Sequence, residues 1–239
     1  VRGHCILAGF CAGTLYSIAF ALLARSAQPE RSFGWSMTLQ SILASVYLLL
    51  LPHFIEQWGI NAIYYLEMMT ILLGISVAIG LRHGATDNNE TNLSSGTDIF
   101  TILSGLVFFS IAQGALWAFV ERIGNSANIA PETIGVTLTV ATILGIGGGL
   151  ASAFLGNKFG HAIPLATVFV GQTLSIFVLW MSADPVFYML SVGLFNFLWV
   201  FAIAFQLGVV AIKDMSGKSC ALATTFQALG LAIGAAIAG

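Results

Sequence analysis

Charge is what this sequence has least of. Of its 239 residues only 8% are Asp, Glu, Lys or Arg, against about 25% in an ordinary soluble domain, and 58% are hydrophobic. Eight basic and ten acidic side chains cannot coat a globule of this size, and the mean hydropathy of +0.94 agrees. That excludes a soluble enzyme and a disordered chain. A net charge of −2 supplies no basic stripe for DNA or RNA, so nucleic acid is excluded as a partner. Cysteine is scarce too. Cys5, Cys11 and Cys220 lie in or beside apolar blocks and read as small buried hydrophobes, not as a disulfide framework. The ten-residue alternating strands of a membrane β-barrel are missing.

What is present is a series of apolar blocks about twenty residues long, the length that crosses the hydrocarbon of a bilayer. Only helices and closed barrels span lipid, because backbone polar groups must be satisfied internally. The expectation is therefore an all-α, multi-span membrane protein with the lipid bilayer as its partner. Eight spans are predicted: 6–24, 35–54, 60–81, 99–120, 134–155, 162–181, 186–212 and 219–239. No cleavable signal follows the first block. The sequence opens on Val1 and stops at Gly239 inside an apolar run, so a fragment incomplete at both ends is expected. Residues 82–98 (RHGATDNNETNLSSGTD) are polar throughout and read as a linker. It divides the chain into 1–81, three spans, and 99–239, five spans.

Lys and Arg concentrate on the cytoplasmic side of membrane proteins. With the loop after the first span placed there, that side holds Arg25, Arg31, Arg82, Lys158, Lys213 and Lys218, and the other holds Arg2 and Arg122. This orientation makes the linker 82–98 cytoplasmic. A weak internal repeat accompanies it. Residues 31–42 (RSFGWSMTLQSI) align with 218–229 (KSCALATTFQAL) at an offset of 187, pairing Arg31 with Lys218 and Gln40 with Gln227. In the preceding spans Gly9-Phe10 faces Gly193-Leu194 at an offset of 184. A same-direction repeat six spans apart is the layout of transporters built from two parallel halves.

Residues 153–162 (AFLGNKFGHA) resemble the cytoplasmic loop motif of the major facilitator superfamily, Gly-x-Leu-Ala-Asp-Arg-x-Gly-Arg-Lys. Leu155, Lys158 and Gly160 fit; Ala153, Asn157 and His161 stand where the motif has Gly, Asp and Arg. The resemblance covers the whole chain in layout and about ten residues in motif. It makes the eight spans the family's fourth to eleventh helices, in two pseudo-repeated halves. It implies a gating loop at Asn157, Lys158 and Gly160. It also implies a small-molecule solute as partner, with a coupling proton or other ion, and a cell-membrane location of the bacterial inner-membrane kind. The family's antiporter motif would put Arg at Cys5, and the Gly-Pro-rich motif of its fifth helix is absent from 35–54. Drug/proton antiport is thereby disfavoured.

Polar residues inside lipid spans mark pathways more often than they do elsewhere. Ser110, Gln113, Trp117 and Glu121 recur at 3, 4 and 4, which stacks them on one helical face. Asn196, Trp199, Ile203 and Gln206 do the same at 3, 4 and 3. The resemblance makes both helices cavity-lining. Gln113, Trp117, Glu121, Asn196, Trp199 and Gln206 are therefore candidate substrate contacts, joined by Gln40 and Tyr47 from the second span. The alternative for each stripe is an interhelical hydrogen-bond seam. Glu67 is the one acid well inside a span, about 10 Å below the outer edge at 1.5 Å per residue, and is a candidate proton site. Its competing reading is an interfacial cluster with Asn61, Tyr64 and Tyr65. The pairs Gly9/Gly13, Gly145/Gly149 and Gly230/Gly234 are small-xxx-small faces suited to close helix packing.

Signals of catalysis fail. Gly217-Lys218-Ser219 lacks the earlier glycine of a phosphate loop, which would fall at Ile212. The histidines sit singly without metal-ligand spacing, so no metal or cofactor is expected. The expectation is a transporter, not an enzyme: secondary active or facilitative movement of a small organic solute by alternating access. The alternative is a multi-pass membrane enzyme or a non-transport membrane protein.

Overall fold

A computed structural model describes residues 2–80, 96–181, 183–214 and 217–239. They form helices in chain order: α1 (Arg2–Leu23), α2 (Pro29–Trp58), α3 (Asn61–Gly80), α4 (Gly96–Trp117), a short α5 (Val120–Ser126), α6 (Pro131–Leu155), α7 (Ala162–Met181), α8 (Pro185–Lys213) and α9 (Lys218–Ala238). Each expected span coincides with a helix. Among the described residues six of the eight, in α2, α4 and α6 to α9, are long and apolar enough to cross a membrane, and α1 and α3 are not in that set. Six such helices are the make-up of a multi-pass helical membrane protein. Most of the stretch read as the linker 82–98 lies outside the described residues, and α4 opens within its last three positions.

The helix ends follow local chemistry. Pro29, Pro131 and Pro185 open α2, α6 and α8, where a missing N–H is harmless and the fixed φ already helical. The Asp184 carboxylate caps α8, accepting from the N–H groups of Val186 at 2.8 Å and Phe187 at 3.4 Å. Asp214, buried after α8, accepts from Ser219 N–H at 2.8 Å and so holds the start of α9. Between them Gly217 adopts φ +79°, against the Ala21 carbonyl at the end of α1. A side chain there would be both strained and obstructed.

α8 is the central helix. Of its apolar window 67% is buried, against 33% or less in the other five. It packs on α6, α7 and α2, and more lightly on α4 and α9. Around it α4 pairs with α9, α2 with α6, α1 with α9, and α3 with α2. Phe20, Phe33, Leu207, Val210 and Cys220 form a core where α1, α2, α8 and α9 converge, with Phe20 and Phe33 stacked at 5.4 Å. A second core, with Phe109, Val168, Leu198, Phe201 and Phe205, joins α4, α7 and α8.

Two of the three glycine pairs sit at helix crossings. A Cβ built on Gly149 would stand 2.5 Å from Thr38 Oγ1 and 2.7 Å from the Thr38 nitrogen, so α2 and α6 touch backbone to backbone. Gly230 and Gly234 lie likewise against the backbone of α4. The third pair differs. Gly13 has open space around it, and the side-chain environment of Gly9 lies outside the described residues.

Candidate functional site: a neutral cavity between the helices

Residues of six helices line an open cavity of about 1420 Å³. α8 gives it Asn196, Trp199, Val200 and Ile203, one stripe at helical spacing. α2 gives Met37, Gln40, Ser41, Ala44 and Tyr47, and α9 gives Thr224, Thr225, Gln227, Ala228 and Leu231. α1 supplies Thr14, Tyr16 and Ser17 among others; α4 adds Ser110 and Trp117, and α6 adds Thr142. No charged side chain lines the cavity among the described residues.

Hydrogen bonds hold several of these groups in place. Ser17 and Thr224 hydroxyls meet at 2.8 Å across α1 and α9. Tyr16 donates to Gln40 Oε1 at 3.3 Å. Asn196 Nδ2 donates to the Ala141 carbonyl of α6 at 2.7 Å, which fixes the amide and leaves its oxygen as acceptor. Tyr47 donates to the Leu66 carbonyl at 2.9 Å and also meets the Thr70 hydroxyl, both on α3. The rings of Trp117 and Trp199 stand edge to face with centroids 5.7 Å apart.

The expected site residues divide. Trp117, Asn196, Trp199, Gln40 and Tyr47 share this one cavity, as does Gln227, the repeat mate of Gln40. Gln113 does not line it. Its amide is buried against Gln172 of α7 in a reciprocal pair, 2.9 Å one way and 3.3 Å the other. The α4 stripe thus splits, with Ser110 and Trp117 facing the cavity and Gln113 turned into a seam. Glu121 is off the face altogether. The chain leaves the helix at Ala118 and Phe119, and Glu121 is exposed on α5. Gln206 lies one turn beyond Ile203 and outside the lining; its Oε1 is buried with no hydrogen-bond partner among the described residues. The side chain of Glu67 lies outside the described residues.

A second, smaller pocket of about 580 Å³ lies between the start of α2 and the loop after α6. Around it stand Asn157 and Lys158, the expected gating loop, with Gln28, Glu30 and Arg31 from the start of α2. Glu30 is buried at 3% exposure under Gly208 of α8, and its Oε1 accepts from His161 Nε2 at 2.8 Å. Gly156, at φ +48°, packs on the Arg31 side chain. Gly160 turns the loop at φ +65° in open space. The contacts that bring α1 and α2 against α6, α8 and α9 lie toward this end, at Ser17, Ala21, Glu30, Gly34 and Thr38.

Reading stripes on single helices missed Thr224, Thr225 and Ser17, and treated His161 as isolated. The repeat held the signal for α9. At the offset of 187, the α2 lining positions 37, 40, 41 and 44 map onto 224, 227, 228 and 231, and all four line the cavity. Nothing comparable in the sequence pairs Glu30 with His161. No family model, no curated protein and no solved structure matches the chain.

Proposed function

We propose that the protein is a transmembrane transporter of a small organic solute, working by alternating access in the manner of the major facilitator superfamily. The observation that carries this reading is the cavity itself. It lies inside a bundle of membrane-length helices, lined by amides, hydroxyls and a tryptophan pair. Polar groups gathered on one cavity between the helices, some bonded across it, such as Ser17 with Thr224, and others such as Gln227 and Thr225 on its wall, suit a water-filled pathway. The shared α2 and α9 register supports a bundle built from two related halves.

In this mechanism the packed end around Glu30, His161 and Lys158 is a cytoplasmic gate. Closing it presents the cavity to the other side; separating α1 from α9 and α2 from α6 reverses the access. Glycine contacts such as Gly149 on Thr38 allow the gate helices to close without intervening side chains. Energy would come from the solute's own gradient or from that of a coupled ion.

The Ser17 and Thr224 hydroxyls, 2.8 Å apart, give the test. A Ser17→Cys/Thr224→Cys disulfide should lock α1 to α9. Vesicles carrying the protein are loaded from a mixed metabolite extract and their contents read by mass spectrometry. Transport predicts at least one solute accumulated over empty vesicles, lost on oxidation of the pair and restored by dithiothreitol. Accumulation that ignores the cross-link, or none in the reduced protein, rejects the proposal.

A further inference from the structure

We infer that the solute is an uncharged, polyhydroxylated ring compound, a monosaccharide or nucleoside in its chemistry. This rests on the transport reading above and narrows it. The argument begins with what a solute would lose on entry. An ion leaving water needs a counter-charge, and without one its burial costs several kcal/mol. The segments that wall the cavity, residues 13–21, 36–47, 110–117, 138–149, 196–206 and 221–231, contain no Asp, Glu, Lys, Arg or His. The buried carboxylate of Glu30 is outside the cavity and already bonded to His161.

The groups that are present suit hydroxyls. Each sugar hydroxyl both donates and accepts, and a side-chain amide offers an acceptor and donors side by side. Gln40, Asn196 and Gln227 place three amides on three different helices. Gln40 already bonds Tyr16 and Ser36, and Asn196 bonds the Ala141 carbonyl, so these two offer a solute their second N–H and their remaining oxygen lone pairs. The Ser41 and Thr225 hydroxyls provide further two-way partners on the same walls, and the Thr142 hydroxyl, whose proton goes to the Leu138 carbonyl, adds an acceptor. The Trp117 and Trp199 pair offers an aromatic surface against which the C–H face of a sugar or the plane of a base can lie. An aromatic and largely apolar wall carrying a few neutral amides and hydroxyls, with no charged group among the described residues, is chemistry that accepts the C–H face and hydroxyls of such a ring and disfavours its ionised analogues.

The test uses the full chain in proteoliposomes, with Cys5, Cys11 and Cys220 replaced by alanine and one cysteine placed in the wall by Thr225→Cys. A neutral, water-soluble maleimide reports access. Probes come in matched pairs: D-glucose with D-glucuronate and D-glucosamine, and uridine with uridine monophosphate. The expected result is slowed labelling with D-glucose or uridine at concentrations at least tenfold below those of the charged counterparts. The two neutral arms separate a sugar site from a nucleoside site. A charged member that protects as well as its neutral partner, or labelling that no neutral probe slows, overturns the inference and leaves the cavity standing. A Thr225→Cys protein that is folded but refuses the maleimide removes the cavity, and the transport reading with it.

Discussion

Gln113 and Gln172 allow a seam and a solute site to be told apart by energy. Both are almost fully buried, at 1% and 6% exposure, and each amide donates to the other. Gln113→Leu removes both hydrogen bonds, each contributing about 0.6–1.5 kcal/mol in a membrane or protein interior. It also strands the Gln172 amide against an apolar neighbour, a further cost of about 1–3 kcal/mol. The single variant should therefore lose about 2–6 kcal/mol. Adding Gln172→Leu removes the stranded group, and the double variant should recover to within about 1 kcal/mol of the parent, since paired apolar replacement is nearly neutral. The assay is reversible unfolding by SDS titration in mixed micelles, run as a double-mutant cycle. Labelling of Thr225→Cys, in the cysteine-free background, should proceed at the same rate in all the variants. Additive losses in the double variant would refute the pair. A labelling change in Gln113→Leu with unaltered stability would return Gln113 to the cavity.

Two further outcomes are expected. Gly149→Ala places a methyl against the Thr38 backbone and should destabilise by about 1–3 kcal/mol through overpacking. Gly105→Ala, which meets open space on α4, should be neutral or slightly stabilising by about 0.5–1 kcal/mol; equal effects in the same SDS titration would remove the close crossing as the cause. In intact cells, Ser126→Cys should react with an impermeant thiol reagent and Asn157→Cys should resist it. Labelling of Asn157→Cys with protection of Ser126→Cys would invert the proposed topology, and labelling of both from outside would break it.

The helices were legible because lipid imposes a simple rule: twenty apolar residues with polar ends. Pro29, Pro131 and Pro185 begin three helices one to six residues before the expected span starts at 35, 134 and 186. The site was legible only in part. Helical spacing groups residues to within a sector, and at about 100° per residue Gln113 lies some 40° from Trp117. That is enough for one to reach α7 while the other reaches the cavity. The run on to Glu121 failed because the chain turns at Ala118 and Phe119, where the backbone bonds shorten to Phe119 N–H on the Leu116 carbonyl. No Gly or Pro stands at those two positions to announce it. The Glu30 and His161 pair spans 131 residues, beyond the reach of any local pattern. Thr224 was within reach, through the repeat that already matched Gln40 with Gln227; Thr225 was not, because its repeat mate Thr38 is buried against Gly149.

The pairing of α1 with α9 bears on how the protein is made. The Ser17 and Thr224 hydroxyls that meet across it are 207 residues apart in the chain. At a synthesis rate of about 5–20 residues per second, α1 is in the membrane roughly 10–40 s before its partner exists. During that interval the face that will line the cavity has no neighbour from α9 to satisfy it. Threonine and serine tolerate such a wait, because a hydroxyl can bond the carbonyl one turn back in its own helix; a lysine or aspartate at positions 14 or 17 could not. The uncharged wall of the cavity is therefore also the wall that an early helix can carry through lipid while the rest of the bundle is still being translated.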